Sequence, residues 1–326
     1  MNKRVVFFLL ALILAAANPT EARQAGRTPR LCFLTFDPGT IQSNRYNAFF
    51  QALRDLGYVD GRTITIDYLS ADGRSERFHA LAAECLRLNA DIIVVSTTPA
   101  AQAAKNATKT TPIVMLALGD PVGTGLVESL ARPGGNVTGL TQMSSGLSAK
   151  RLELLKEAVP RVSRVLVLSY SVDPITAPQI EELRTAARSL RLQLQIRDIG
   201  TADDLPAAFE ARTKERAEAV LPTVASIFVV HRARVVELAA RHKLPAMYSV
   251  SLFVDAGGLM AYGHDPADLY RRTATYVDKI LKGAEPADLP VEQPMKFEFV
   301  INLKAAKQIG LTIPPNLLAR ADRVIK

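Results

Sequence analysis

Along the first third of the chain, short unbroken apolar runs alternate with apolar stripes of helical spacing. The run at 31–36 is continuous, as in a strand buried on both faces. Tyr46, Phe49, Phe50, Leu53 and Leu56 then recur at helical intervals, and Gly57 sits where a helix end is capped. Ile64, Ile66 and Tyr68 alternate as a strand, and Phe78, Leu81, Cys85 and Leu88 mark the next helix. A strand at 92–95, a helix carrying Ala100, Ala103, Ala104 and Ala107, and a strand at 113–116 follow. This βαβαβαβ order with short connections predicts a parallel sheet covered by helices.

The stretch 119–141 joins this half to a second one of the same design. Asp120-Pro121 reads as an N-cap and first helical residue, predicting a short helix through Leu126, Val127 and Leu130 that stops at Pro133-Gly134-Gly135. A strand-like passage at 137–141 leads out. Beyond it the pattern predicts a helix on Leu152, Leu155 and Val159, a strand at 165–168, and a helix on Ile180, Leu183, Ala187 and Leu190. An alternating strand on Leu192, Leu194 and Ile196 comes next, then a helix at 205–215, a strand at 219–221, a helix at 230–241, and short strands at 245–248 and 259–262. Leu269, Thr273, Tyr276 and Ile280 form a last long helical stripe ending at Gly283, and Pro286, Pro290 and Pro294 mark an extended connection after it.

With 326 residues and 48% apolar composition, the chain is long enough for two lobes. Lys3 and Arg4, an apolar run at 5–17 and small residues after it form the pattern of a cleaved export signal, too short to span a bilayer. Cleavage after Ala17 or Ala22 fits; Thr20 and Ala22 are small enough for the −3 and −1 sites, so residues 1–22 are read as the signal peptide and the mature protein as periplasmic. No lipid-anchor cysteine lies there. The two cysteines, Cys32 and Cys85, fall on apolar faces and read as small hydrophobes, although an exported compartment permits a disulfide. His79, His231, His242 and His264 are scattered, so no metal site is expected. The formal charge of +8 is spread over helices with acids interleaved, a solvated surface rather than a nucleic-acid footprint.

Several longer motifs carry a family resemblance: Gly119-Asp120-Pro121-Val122-Gly123, the run 131–139 (ARPGGNVTG), Asp255-Ala256-Gly257-Gly258-Leu259-Met260 with Tyr262-Gly263, and Leu311-Thr312-Ile313-Pro314-Pro315. In these the chain resembles the substrate-binding proteins of bacterial ABC importers, specifically the tryptophan/tyrosine type. The resemblance implies an α/β fold of the type I periplasmic-binding-protein kind, with two doubly wound parallel-sheet lobes joined by a three-segment hinge. It implies an N-terminal lobe of 30–141 plus 264–295, a C-terminal lobe of 142–263 plus 296–326, and crossings near Thr141, Gly263 and Met295. The implied role is capture of a small ligand for an ABC permease and ATPase by a monomer without cofactor. A ligand-presenting sensor subunit is the alternative.

Ligands of open α/β sheets lie beyond the carboxyl ends of the strands. That rule points to Phe36, Asp37, Ser96, Thr97, Thr98, Gly119 and Asp120 in the first lobe and Tyr170, Thr223, Tyr248, Ser249 and Tyr262 in the second. Thr98 as N-cap and Pro99 after it predict a helix start whose Ala100 and Ala101 amides are free for a carboxylate. Tyr248 and Tyr262 offer rings and hydroxyls, while Asp120 also fits as the cap of its own helix. Met143 and Phe228 read as packing. Relatives commonly carry an aspartate at the turn corresponding to Pro222-Thr223; here Thr223 is neutral, which leaves Asp37 or Asp265 to meet an ammonium group. The nucleophile elbow, the Walker loop and the dinucleotide fingerprint are all missing, so a binder rather than an enzyme is expected.

Overall fold

The computed structural model describes residues 27–40, 45–142 and 145–326. The signal segment and Met143 lie outside the described residues.

The first sheet comprises β1 (Arg30–Thr35), β2 (Thr65–Ser70), β3 (Ile92–Val95), β4 (Ile113–Leu118) and β5 (Val137–Thr141). Its order is β2-β1-β3-β4-β5, and every neighbouring pair is parallel. Because side chains alternate across a strand, Cys32, Leu34, Ile93, Val95 and Met115 share one face with Phe78, Ala82, Ala100 and Ala104. The helices over that face are α2 (Phe78–Arg87) and α3 (Thr98–Ala107). Leu31, Phe33, Ile92, Val94 and Leu116 point the other way, onto Phe49, Phe50 and Leu53 of α1 (Asn47–Asp55). A helix from far along the chain, Pro266–Leu281, completes that layer with Leu269, Tyr276, Val277 and Ile280. Tyr58, just past α1, donates to Asp278 at 3.0 Å and ties the two together.

The second lobe is built on β6 (Arg164–Ser169), β7 (Gln193–Asp198), β8 (Ala219–Pro222), β9 (Met247–Tyr248), β10 (Met260–His264), β11 (Phe297–Asn302) and β12 (Arg323–Ile325). A bridge between Val220 and Ala246 joins the β7-β6-β8 group to the β12-β11-β10-β9 group. Only β10 and β11 pair antiparallel. Around them lie α4 (Ser148–Ala158), α5 (Thr176–Leu190), α6 (Asp204–Glu215), α7 (Ser226–Val230), α8 (Arg232–Arg241) and α9 (Leu252–Asp255); with the Pro266–Leu281 helix as α10, α11 (Leu303–Gln308) and α12 (Pro315–Leu318) finish the chain. The backbone passes between the sheets after β5, after β10, and again after Glu292, whose N–H and C=O bond Gly139 and Thr141 at the edge of the first sheet.

Two local expectations are corrected. Residues 121–127 form consecutive turns instead of a helix, with Leu126 N–H bonded to Pro121 C=O at 2.8 Å. Gly123 and Gly125 weaken any helix there, and Gly125, at φ +69°, takes the left-handed conformation that a turn needs and a helix forbids. Lys105 of α3 holds the turn by donating to the Gly125 carbonyl at 2.6 Å. The helix expected at 230–241 is present as α8, and the short helix α7 precedes it.

The second correction concerns the cysteines, which are disulfide-bonded to each other. Cys32 on β1 and Cys85 on α2 point into the same layer from opposite sides, with Cα atoms 5.7 Å apart. A crosslink over this sequence separation removes much of the unfolded chain's freedom, an effect of about 2–4 kcal/mol. A non-reduced digest should therefore yield a Cys32–Cys85 linked peptide, and reductant should lower the urea midpoint by a corresponding amount. Identical unfolding curves with and without reductant would show that the bond contributes nothing.

Candidate ligand-binding cleft

The carboxyl ends of the two sheets face each other across a cleft holding about 580 Å³ of empty space, its open mouth included. On the first-lobe wall, β3 runs through Ser96 and Thr97 into α3. Thr97 is the cap, with an extended backbone and its Oγ1 accepting from Ala100 N–H at 3.2 Å. Ala101 N–H is bonded to the Thr97 carbonyl at 3.0 Å. Both amides expected to be free are thus engaged, and the cap lies one residue earlier than Thr98. What the helix start still offers is its positive dipole end.

The stronger cationic feature on this wall is Arg45, on the loop entering α1. Its Nη2 donates to Asp37 Oδ1 at 3.1 Å and to the Tyr46 hydroxyl at 2.8 Å, while its Nε is buried without a partner among the described residues. Burial disfavours this charge most strongly, but Asp37, Tyr46 and Tyr270 together outweigh it and hold the guanidinium above its ordinary range. Gln142 and the backbone at Gly119 complete the wall, with Tyr270 behind.

The second-lobe wall is mainly aliphatic: Ile175, Val224, Val229, Val250 and Leu252. Gln179 fixes the turn after β8 by holding both the N–H and C=O of Val224, at 2.7 and 3.1 Å. Among these apolar groups stands Asp173, on the loop between β6 and α5. It is 5% exposed, and its Oδ1 accepts from Ile175 N–H at 3.2 Å. No basic side chain answers it among the described residues, and burial pushes its carboxyl up to about 7. At the floor, burial and the nearby Arg151 push buried His264 down to about 3, so it is neutral. Arg151 donates from Nε to the Tyr262 carbonyl at 2.7 Å, and burial lowers its guanidinium to about 10.

Of the twelve residues singled out in the sequence, Ser96, Thr97, Thr98, Gly119 and Ser249 line the cleft. Asp37 lies behind Arg45. Phe36 and Tyr170 meet edge-on across the lobes at 6.3 Å, and the Tyr170 hydroxyl reaches Ser75 at 3.1 Å. Asp120 accepts from Gly123 N–H at 2.9 Å and caps its own turn. Thr223 is buried behind Val224, its N–H on the Leu168 carbonyl. Tyr248 is stacked on Phe253 at 4.6 Å inside the lobe, because alternation along the strand gives the cleft to Ser249. The ring of Tyr262 packs on Phe297 and Phe299. Asp265 caps α10 through Ala267 N–H at 2.9 Å. Arg45, Gln142, Asp173 and His264 were missed. Asp173-Pro174 just beyond a strand end was a usable signal; Arg45, ahead of a helix, had none.

A family model for ABC transporter substrate-binding proteins matches residues 40–325. The chain belongs to that family. The Tyrosine-binding protein of Clostridioides difficile (strain R20291) is 30% identical over 263 residues, 81% of this chain and 75% of that protein. An ABC domain from Streptococcus pneumonia in complex with L-Trp is 28% identical with a TM-score of 0.83, covering 92% of this chain and 100% of that one. The ligand-free, open structure of a substrate-binding protein with adhesive properties from Clostridium difficile is 26% identical with a TM-score of 0.63, covering 91% and 99%. The two-lobed type I periplasmic-binding-protein fold is thereby established. Among the described residues no group of His, Cys, Asp and Glu is arranged to hold a metal, and no helix is long and apolar enough to cross a membrane.

Asp173 makes the empty cleft pH-sensitive. Its carboxyl rises from 3.8 to about 7 on folding, so between these values the folded chain keeps a proton that the unfolded chain has lost. The associated stability is complete below pH 4 and is lost as the pH rises through 7. Asp173→Asn keeps the shape and cannot ionise. It should match the wild-type thermal midpoint near pH 4 and exceed it at pH 8 by the equivalent of about 1–3 kcal/mol. Equal midpoints at both values would show that the carboxyl is not held against its charge.

Proposed function

We propose that this chain is the periplasmic solute receptor of an ABC importer, exported by its leader and delivering to a permease and ATPase a small carboxylate-bearing ligand that it binds without altering. The observation that carries the carboxylate assignment is Arg45: a buried guanidinium on the cleft wall, steadied by Asp37 and Tyr46, with a buried Nε that has no protein partner among the described residues. A carboxylate satisfies that donor, and the positive end of α3 at Thr97–Thr98 favours the same charge. The L-Trp complex and the Tyrosine-binding protein among the relatives support an amino-acid-like ligand.

The test begins with protein stripped of ligand by unfolding and refolding without reductant. Its melting is then followed with aromatic acids, amino acids and dicarboxylates, and with sugars and polyamines as controls. A carboxylate at about a hundred times its dissociation constant should add about 2.7 kcal/mol, and X-ray scattering should record compaction. Arg45→Gln should weaken that ligand by about 2–3 kcal/mol. A shift produced only by a neutral sugar, with every carboxylate inert, would defeat the carboxylate assignment; chemical alteration of the ligand would defeat the receptor reading.

A further inference from the structure

The wall opposite Arg45 carries a charge problem of its own. Asp173 is nearly sealed from water, yet among the described residues its carboxyl has one backbone amide and no cation as partner. Buried carboxylates ordinarily have a basic partner or several donors, since an unanswered charge costs several kcal/mol. The second-lobe wall that carries Asp173 is mostly aliphatic, and the side-chain donors on it are the hydroxyls of Ser226 and Ser249. The other acids near the cleft are occupied: Asp37 by Arg45, Asp265 by the start of α10.

We propose that Asp173 receives the cationic nitrogen of a zwitterionic ligand whose carboxylate is held by Arg45 on the opposite wall, so that Asp173 selects α-amino acids and the ligand's two charges bridge the lobes. The proposal rests on the carboxylate reading of Arg45. The acid comes from the loop after β6, while the turn after β8 offers Thr223 and Val224, which carry no charge. Ile175, Val224, Val229, Val250 and Leu252 then face the ligand's side chain, which is apolar. An ammonium placed against Asp173 stabilises its ionised form, so binding near neutral pH expels the proton that the empty cleft retains. Glu181, Arg184 and Asp198 share the outer pocket that Asp173 also lines, and three further titratable groups flank the cleft. His264 is held neutral, the Tyr170 hydroxyl is pushed up by burial, and Arg45 is cationic throughout.

Calorimetry on the stripped protein provides the test, using the twenty L-amino acids, the des-amino acids 4-methylpentanoate and indole-3-propionate, and the amines isopentylamine and tryptamine. An apolar amino acid should bind at least about 100-fold more tightly than its des-amino counterpart, in line with the cost of leaving a buried charge unanswered. Asp173→Asn should weaken that amino acid by about 30- to 300-fold and leave the des-amino acid unchanged or tighter. Wild-type affinity for the amino acid should rise from pH 6 to 8, with proton release visible as a buffer-dependent enthalpy, and both effects should vanish in Asp173→Asn; a merely structural role would move neither. Asp173→Glu, which keeps the charge, should retain the preference for the amino acid. Equal affinity of Asp173→Asn and wild type for the amino acid overturns the proposal, as does equal wild-type affinity for amino and des-amino acids. If those equalities hold while Arg45→Gln still abolishes binding of both, the carboxylate reading survives and only the role of Asp173 falls. Binding of none of the amino acids overturns the proposal, and the carboxylate reading falls with it only if the des-amino acids are inert too.

Discussion

Four charged side chains, Asp37, Arg45, Arg151 and Asp173, are withdrawn from water around the cleft, and each must find a partner or give up its charge. Arg151 is the fully answered case. Its Nε meets the Tyr262 carbonyl and Glu182 lies close by, which places a fixed cation beneath the second passage of the chain between the sheets. His264, beside it, is kept neutral. Arg45 is half answered, tied to Asp37 on one side and open on the other. Asp173 is barely answered at all. The lobes are therefore held in shape by satisfied charges and face each other with unsatisfied ones.

The passage near Gly263 is constrained sterically as well. A Cβ on Gly263 would meet the Ser249 carbonyl at 1.8 Å, so β9 and β10 approach there only because the side chain is missing. The close approach sets Ser249 on the cleft wall and brings the Tyr262 carbonyl to Arg151. From there the chain turns through Asp265 and Pro266 into α10, a capped start with proline in its first turn, and packs back on the first sheet. One short segment thus carries a wall residue of the cleft, a buried ion contact and a passage between the lobes.

Most of the α/β order was legible because it is local: continuous apolar runs against helical stripes identify β1, β3, β4 and their helices without any tertiary knowledge. What failed depended on which face meets which. Tyr248 and Ser249 are adjacent at a strand end, and one step of alternation decides which enters the cleft. Cys32 and Cys85 each sit on an apolar face, and only the packing of α2 over β1 shows that the faces are the same. The turn at 121–127 begins like a helix at Asp120-Pro121, and its glycines overrule that start. Strand ends located Ser96–Thr98, Gly119 and Ser249, since that rule follows from topology. Arg45 escaped because a loop before a helix carries no pattern, and its role depends on Asp37, eight residues earlier.

The charges on the two walls also bear on how binding is coupled to closure. A ligand shifts an equilibrium between open and closed lobes only by its difference in affinity for the two. A cleft lined by satisfied polar groups would close on water almost as readily as on ligand. On the proposed receptor reading, closure without ligand keeps the Nε of Arg45 and the carboxyl of Asp173 out of water with nothing to replace it, and so carries a desolvation cost. The aliphatic surface of Val224, Val229, Val250 and Leu252 pulls the other way, since it gains from leaving water whether or not a ligand is present. The polar cost is removed only by a molecule bearing complementary charge, whereas the apolar gain is shared by all occupants. Discrimination among ligands therefore falls chiefly on the charged ends, and the side-chain wall adds affinity with modest selectivity, about 1–3 kcal/mol for a methylene gained or lost.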